Sequence, residues 1–274
     1  DQHLGPRAVR HVSAGLRRVH LDFNINPWKK KKIFDLGDVA LPHANNNEKC
    51  IEDITNFYKK IANENKPVVS IGGDHSITGG ILQGLGSNAL EMTHGKTISI
   101  LHIDAHTDTF SQLDHFMGAK KSAAHWGSYL VEQGIIDPKT SMQIGMRGNP
   151  RTLDWLQPSY DLGYNVVTMD EFQNRGIDDV IKETLDKIGD NPVYITFDLD
   201  SLDSSVAPAV SNIEPGFTGF TIDEAKALIQ SVKNKNVIGG DVVCLMPTKD
   251  QKNNITSMVA ASIMFEIISV IAYQ

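Results

Sequence analysis

The sequence predicts an α/β fold built around a mainly parallel central sheet, and two observations support this prediction. Apolar runs of strand length alternate along the chain with segments of helical length, as they do where helices cross between parallel strands. Several of these runs, such as residues 97–103, are continuously apolar, which is typical of strands covered by helices on both faces. The 274 residues contain no Pro/Gly/Ser-rich linker, so we expect a single domain over residues 1–274.

Seven strands and seven helices follow from the pattern of apolar residues. The strands are predicted at residues 33–39, 67–73, 97–104, 141–148, 165–170, 192–200 and 237–247. The helices are predicted at residues 5–17, 48–65, 76–85, 123–133, 178–188, 222–233 and 255–271. Thr221, followed by Asp223 and Glu224, is a typical capped start for the helix at 222–233. The last helix is strongly apolar but short for a membrane span, and it contains Glu266, so we expect it to be buried in the protein.

Charge and cysteine content exclude several classes of protein. The formal net charge of −7 gives no basic surface of the kind that binds nucleic acid, and the run Lys29–Lys32 is interpreted as a solvated loop. We therefore expect neither a nucleic-acid nor a membrane partner. Two cysteines are too few for a disulfide framework, which favours a reducing, cytoplasmic location. Because the sequence opens at Asp1 rather than at a methionine, we expect residues upstream, and a targeting segment there stays open.

Three clusters of possible metal ligands stand where predicted strands end. Parallel sheets bind ligands at the carboxyl ends of their strands, and residues i and i+2 of an extended chain point the same way. We therefore expect these side chains to face one cavity. His102 is expected to point away from this cavity and to belong to the core. The predicted ligands are His75, Asp104, His106, Asp108, Asp198 and Asp200.

Four carboxylates and two imidazoles are a suitable ligand set for two divalent cations. The four aspartates carry a charge of −4, which two such cations neutralise. Mixed oxygen and nitrogen ligands suit Mn²⁺ first, with Ni²⁺ as an alternative, and also accept Fe, Co or Zn. A calcium loop at residues 198–203 is excluded because the required glycine and closing glutamate are missing.

The motifs around these residues resemble those of the ureohydrolase (arginase/agmatinase) family, especially its agmatinase and guanidino-acid hydrolase branch. The resemblance implies a three-layer α/β/α sandwich, a binuclear metal centre that hydrolyses guanidino or amidino groups with release of urea, and assembly as a homo-oligomeric trimer or hexamer. The matching motifs are LGPRAVR (4–10), DLGDV (35–39), GGDHSIT (72–78), DAHTDT (104–109), YITFDLDSLD (194–203), EPG (214–216) and GGDVV (239–243).

The resemblance also implies roles for individual residues. The six predicted ligands match the family's metal ligands, with Asp104 and Asp200 as bridges and Asp108 counted among the catalytic residues. A histidine downstream of DAHTD serves the family as a proton shuttle. His115 and His125 both fit, and His125 is favoured because it directly precedes a helix that ends in EQGIID.

Departures from the family pattern concern the substrate. Cys244 stands where the family usually has a glutamate that holds the guanidinium, and Trp126 stands where a small residue is common. We therefore expect a small guanidino compound, guanidine itself or a short derivative, rather than arginine or agmatine. A cation–π contact with Trp126 would help to hold it. The predicted substrate contacts are Trp126, Asp203, Ser211, Asn212, Glu214 and Cys244.

Two alternatives stay open at this point. The same metals could serve a hydrolase of a formimino or amide-type substrate. The second alternative is a non-catalytic regulatory or scaffold subunit of the same fold. Such a subunit is expected to have lost metal ligands, whereas all six are present here.

Overall fold

The computed structural model describes residues 1–86, 91–111, 113 and 118–274, and in them six parallel strands form one sheet. The strands are β1 (Val68–Ile71), β2 (Ser99–Ile103), β3 (Met142–Met146), β4 (Asn165–Thr168), β5 (Val193–Asp198) and β6 (Val237–Val243). The order across the sheet is β1-β6-β5-β2-β3-β4, and each neighbouring pair is parallel.

Helices cover both faces of this sheet, and alternate residues of a strand enter two separate apolar clusters. The helices are α1 (Gly5–Ser13), α2 (Pro27–Lys30), α3 (Asn47–Ala62), α4 (Ser76–Gly86), α5 (Trp126–Glu132), α6 (Gln157–Leu162), α7 (Met169–Arg175), α8 (Ile177–Ile188), α9 (Ile222–Ser231) and α10 (Ile255–Tyr273). In β2, Ile100 packs in one cluster with α3, α4 and α5, whereas Leu101 and Ile103 pack in the other with α1 and α7–α10. This arrangement confirms the predicted α/β/α sandwich.

The strand predicted at residues 33–39 is wrong. This segment has no regular structure, and its apolar side chains Phe34 and Leu36 are 76% and 65% exposed. Arg10 of α1 binds its two acidic residues, Asp35 and Asp38, with closest contacts of 2.9 Å each. Alternating apolar residues suit a strand, but a strand also needs a neighbouring backbone to pair with, and no strand among the described residues pairs with this one.

Helix starts account for two smaller differences. The predicted strand 165–170 ends early because Thr168 caps α7 in a reciprocal hydrogen-bond pair with Glu171. The predicted helix 123–133 begins with a 3-10 turn at Ala123–His125 and continues as α5. The capped start at Thr221 is present as predicted, since Thr221 and Glu224 form the same reciprocal pair at the start of α9.

Helix α10 is long and apolar enough to span a membrane by length and composition alone. Eleven of its nineteen residues are buried, and Val259, Ile263 and Ile267 belong to the apolar cluster that includes α1 and α9. This burial is what the sequence predicted for a core helix.

Candidate metal centre

The six predicted metal ligands lie together at the carboxyl ends of β1, β2 and β5. They form two sets of side chains, which we call the first and second donor groups, and Asp104 belongs to both. The first donor group is His75, Asp104, Asp108 and Asp198. The second donor group is Asp104, His106 and Asp200.

In the first donor group, one imidazole nitrogen faces three carboxylates. His75 Nδ1 lies 2.9 Å from Asp104 Oδ2, 3.0 Å from Asp108 Oδ2 and 3.3 Å from Asp198 Oδ2. Nδ1 is buried and has no well-oriented hydrogen-bond partner among the described residues. On the other side of the ring, His75 Nε2 lies 2.8 Å from the hydroxyl of Thr196, which fixes the ring orientation. A buried nitrogen aimed at three oxygens is the geometry that a cation would complete.

In the second donor group, His106 is held from its far side. Its Nδ1 lies 3.3 Å from Asp200 Oδ2 and 3.5 Å from Asp104 Oδ1, and its Nε2 lies 3.1 Å from Glu214 Oε1. A carboxylate on the second nitrogen of a metal-binding histidine orients the ring and raises its basicity. Gly148, in a left-handed conformation (φ 103°), gives the Glu214 carboxylate room, since a side chain there would collide with it.

Asp104 connects the two groups through its two oxygens. Its Oδ2 faces His75 and its Oδ1 faces His106. In this position Asp104 would contact both cations if each group held one, and that bridging role is a prediction of the family resemblance. Asp200 lies in the second donor group, and its bridging role stays a prediction.

The charges of this cluster favour the binding of protons when no cation is bound. Burial would lower the pKa of His75, but the carboxylates of Asp104, Asp108 and Asp198 outweigh it and raise that pKa well above the usual 6.5. The pKa of His106 is raised in the same way, against burial, chiefly by Asp200. Burial, and then the charge of Asp198, raises the pKa of Asp200 well above its usual value. Cations that replace these protons would relieve the repulsion, so the site fits a pair of divalent metal ions.

Two residues of this region adopt a left-handed backbone conformation that is costly for residues other than glycine. They are Asp108 (φ 50°) and Cys244 (φ 70°), and Cys244 N–H donates to the carbonyl of Gly73 at 2.8 Å. Such strain persists where the surrounding structure imposes it, often at functional sites. The chain therefore holds both residues in place before any ligand binds.

Trp126 does not have the role that we predicted for it. The side chain is fully buried, so its ring offers no face for a cation–π contact with a substrate. Instead Trp126 Nε1 donates a hydrogen bond of 2.9 Å to Asp108 Oδ2. Its ring packs 5.0 Å from that of His75, measured between centroids. Trp126 thus positions a predicted metal ligand.

His102 is fully buried, as the sequence argument expected, but the prediction that it points away from the site is wrong. Its Nε2 lies 2.8 Å from Asp104 Oδ2, so it borders the site and does not point away from it. The two residues stand at i and i+2 on and just after β2, and the same rule that grouped Asp104 with His106 could have found this contact.

His125, the favoured proton shuttle, lies at the end of the 3-10 turn that leads into α5. It is buried, and its Nδ1 lies 2.7 Å from the hydroxyl of Ser122. The next two residues attach this turn to the site, because Trp126 binds the Asp108 side chain and Gly127 N–H donates to the Asp108 carbonyl at 2.9 Å. His115, the alternative shuttle, lies outside the described residues.

Most of the other predicted substrate contacts are already engaged within the protein. Glu214 binds His106, and Asp203 accepts hydrogen bonds from Ser205 and from Gly219 N–H. The Ser211 hydroxyl accepts from Gln2 at 2.9 Å, whereas Asn212 is exposed.

Cys244 is buried close to the carboxylates of the site. Burial, followed by the charges of Asp198 and Asp200, raises the pKa of its thiol well above 9.0. Position 244 therefore carries a neutral thiol beside the first donor group.

One functional residue that the sequence argument missed is Arg147. Its buried guanidinium follows β3 and donates to the carbonyls of Asp200 at 2.6 Å, Ser201 at 3.0 Å and Leu202 at 3.0 Å. It therefore fixes the turn that carries Asp200. No motif pointed to it, because its partners are backbone carbonyls of a turn more than fifty positions away, after β5.

The comparisons with known proteins agree with this geometry. The family model for the arginase family matches residues 1–269. The chain belongs to the arginase family. Members of this family use a binuclear divalent metal site, and the His/Asp cluster of the two donor groups fits such a site.

Within the arginase family, the chain is similar to hydrolases of guanidino compounds. It is 33% identical over 265 residues to the mitochondrial guanidino acid hydrolase of Homo sapiens, covering 97% of this chain and 72% of that protein. It is 32% identical over 268 residues to the mitochondrial agmatinase of Gallus gallus, covering 98% and 75%. The solved proclavaminate amidino hydrolase of Streptomyces clavuligerus superposes with a TM-score of 0.88 at 29% identity, covering 98% of this chain and 85% of that one. This arginase-family protein is therefore a hydrolase that acts on C–N bonds of guanidino compounds.

Proposed function

We propose that this protein hydrolyses a small guanidino compound to urea and an amine or ammonia, using two divalent cations. The observation that supports this most is the pair of donor groups joined by the two oxygens of Asp104. We propose Mn²⁺ as the metal, with Ni²⁺ as the alternative, because carboxylate and imidazole ligands suit both ions.

Each donor group would hold one cation, and Asp104 would contact both. When bound, such a pair of cations lowers the pKa of a water molecule and so supplies a nucleophile near neutral pH. Thr196 orients the imidazole of His75, and Glu214 orients that of His106. Trp126 orients Asp108, and Arg147 holds the turn that carries Asp200. These contacts hold the ligands in place before the substrate arrives.

His125 is proposed to deliver the proton that the departing nitrogen needs. An amide anion is too basic to leave, so the C–N bond breaks only as the nitrogen is protonated. Histidine suits this task because its ordinary pKa of about 6.5 lies near physiological pH. The bond between Ser122 and Nδ1 fixes the orientation of the ring.

The proposal of a small substrate rests on Cys244. A carboxylate opposite a guanidinium forms a strong charge-assisted pair, and the neutral, buried thiol here forms none. The carboxylates that could replace it, Asp203 and Glu214, already bind other groups of the protein. A long guanidino amine therefore gains no evident contact for its chain, whereas a compact guanidino compound has no chain that needs one.

The test is a panel of substrates assayed for urea or ammonia release by protein loaded separately with Mn²⁺ or Ni²⁺. The panel contains guanidine, short guanidino acids, agmatine, arginine, and formimino and amide compounds. We expect the highest kcat/KM for guanidine or a short guanidino compound. If agmatine or arginine is best by tenfold, about 1.4 kcal/mol, the interpretation of Cys244 is wrong. A formimino or amide compound as best substrate would establish that alternative instead.

A further inference from the structure

A buried glutamine next to the metal centre has no part in the proposed reaction. Gln143 lies on β3 and is fully buried. Its Nε2 lies 2.7 Å from the carbonyl oxygen of Thr107 and 3.1 Å from His102 Nδ1. Its Oε1 has no hydrogen-bond partner among the described residues. Because a carbonyl oxygen only accepts, the nitrogen of the amide must face Thr107, and this contact decides the orientation of the side chain.

The orientation of Gln143 determines where His102 carries its proton. One N–H of the amide donates to Thr107, and the other points at His102 Nδ1, which must therefore present a lone pair. The proton of a neutral imidazole is then on Nε2. His102 Nε2 lies 2.8 Å from Asp104 Oδ2, so this proton forms the hydrogen bond to the shared carboxylate.

We infer that Gln143 is a positioning residue of the metal centre, which holds His102 in the Nε2–H form so that His102 donates to Asp104 and does not bind a metal ion. The inference rests on the proposed metal centre. His102 is close enough to His75, Asp104 and Asp108 to act as a further metal ligand. Whether it binds a metal ion or donates to Asp104 therefore depends on which ring nitrogen carries the proton. Both N–H groups of Gln143 are engaged in this arrangement, one with Thr107 and one with His102, although Oε1 is left without a partner among the described residues.

Metal retention tests the inference in the loaded protein. Mn²⁺-loaded wild type and the variants Gln143→Met, His102→Phe and the double variant are titrated with a chelator, and the remaining metal is measured. Gln83→Met, which loses an amide bound to Gln133 away from the site, is the matched control. Because orienting partners of metal ligands are typically worth 10–100-fold in affinity, we expect losses of this size for both single variants and none for the control.

The double variant separates action through His102 from an independent effect. If Gln143 acts through His102, the double variant retains metal as well as His102→Phe alone. Additive losses would overturn the inference. So would the loss of one whole metal in His102→Phe with normal affinity in Gln143→Met, because that result would make His102 a ligand.

Nitrogen NMR of histidine gives a direct readout that needs no stable Gln143 variant. Protein labelled with ¹⁵N-histidine and loaded with diamagnetic Zn²⁺ should show His102 protonated at Nε2 alone, with the signals assigned by their loss in His102→Phe. A proton on Nδ1, or a metal-bound Nε2, would overturn the inference. Neither measurement uses a substrate, so failure of the urea assay would refute the proposed function and leave this inference intact.

Discussion

At the scale of single residues, Asp104 is the side chain on which the two donor groups depend. Burial opposes its ionisation, but its hydrogen bond with His102 and its close contacts with His106 and His75 hold its pKa well below the usual value. It is therefore a charged carboxylate inside the protein, and its two oxygens face two different histidines.

We predict that Asp104→Asn loses both metals, because the amide lacks the charge and one of the two ligand oxygens. The measurement is the metal content after loading with Mn²⁺, where the wild type should hold two ions per chain. Asp203→Asn is the control, since Asp203 binds Ser205 and Gly219 outside both donor groups. An Asp104→Asn protein that still held two ions would contradict a bridging role.

We predict that His125→Ala keeps its metal but loses turnover, because a positioned proton donor contributes roughly 10²–10⁴-fold to rate. The measurements are kcat and metal content, with the exposed histidine His43 replaced by alanine as control. Near-normal kcat at neutral pH would exclude His125 as the shuttle. A defect in His115→Ala instead would transfer the role to that residue.

The raised histidine pKa values give a prediction about pH. In the metal-free protein, protonated His75 and His106 stabilise the fold fully below pH 6.5, and this stabilisation is lost as the pH rises through their raised pKa values. Cations must displace these protons, so metal affinity changes in the opposite sense and increases with pH.

Both trends can be measured between pH 6 and pH 9. The melting temperature of chelator-treated protein should fall across this range, while the apparent Mn²⁺ affinity should rise. An affinity that did not change with pH would mean that the site is already deprotonated.

At the scale of elements, the donor groups exist because strand ends meet. β1, β6, β5 and β2 are consecutive in the sheet, so the residues that follow β1, β2 and β5 share one edge. Apolar periodicity located these three strands and their ends from the sequence. It failed at residues 33–39, because strand formation there depends on a pairing partner and not on the local pattern.

Helix α9 allows a prediction that is independent of the site. Thr221→Ala removes one half of its capping pair with Glu224 and should cost about 0.5–2 kcal/mol of unfolding free energy. Urea unfolding measures the cost, and metal content should not change. Thr218→Ala, three residues upstream and exposed, is the matched control. An equal effect of the two substitutions would show that the cap contributes nothing.

At the scale of the whole molecule, the family resemblance leads us to propose a homo-oligomer. Among the described residues the most exposed large apolar side chains are Leu153, Leu21 and Phe34, and an interface could bury such groups. Light scattering should give a mass three or six times the 30.2 kDa of one chain. A mass of 30.2 kDa at all protein concentrations would contradict this proposal.

The sequence by itself predicted the α/β fold with its mainly parallel sheet and the six residues of the donor groups. Both follow from local patterns, since apolar runs mark strands and charged residues such as Asp104 and Asp198 mark their ends. In a parallel sheet those ends necessarily share an edge. Only the tertiary structure decided which side chains meet at the site: Trp126 contacts Asp108, Glu214 contacts His106, and Gln143 contacts His102. The members of these pairs are 18, 108 and 41 positions apart, and their contacts depend on which elements pack together and how each side chain is turned. No local pattern encodes a hydrogen bond between elements, so residues such as Arg147, which holds the turn of Asp200 through backbone carbonyls, become visible only once the chain is folded.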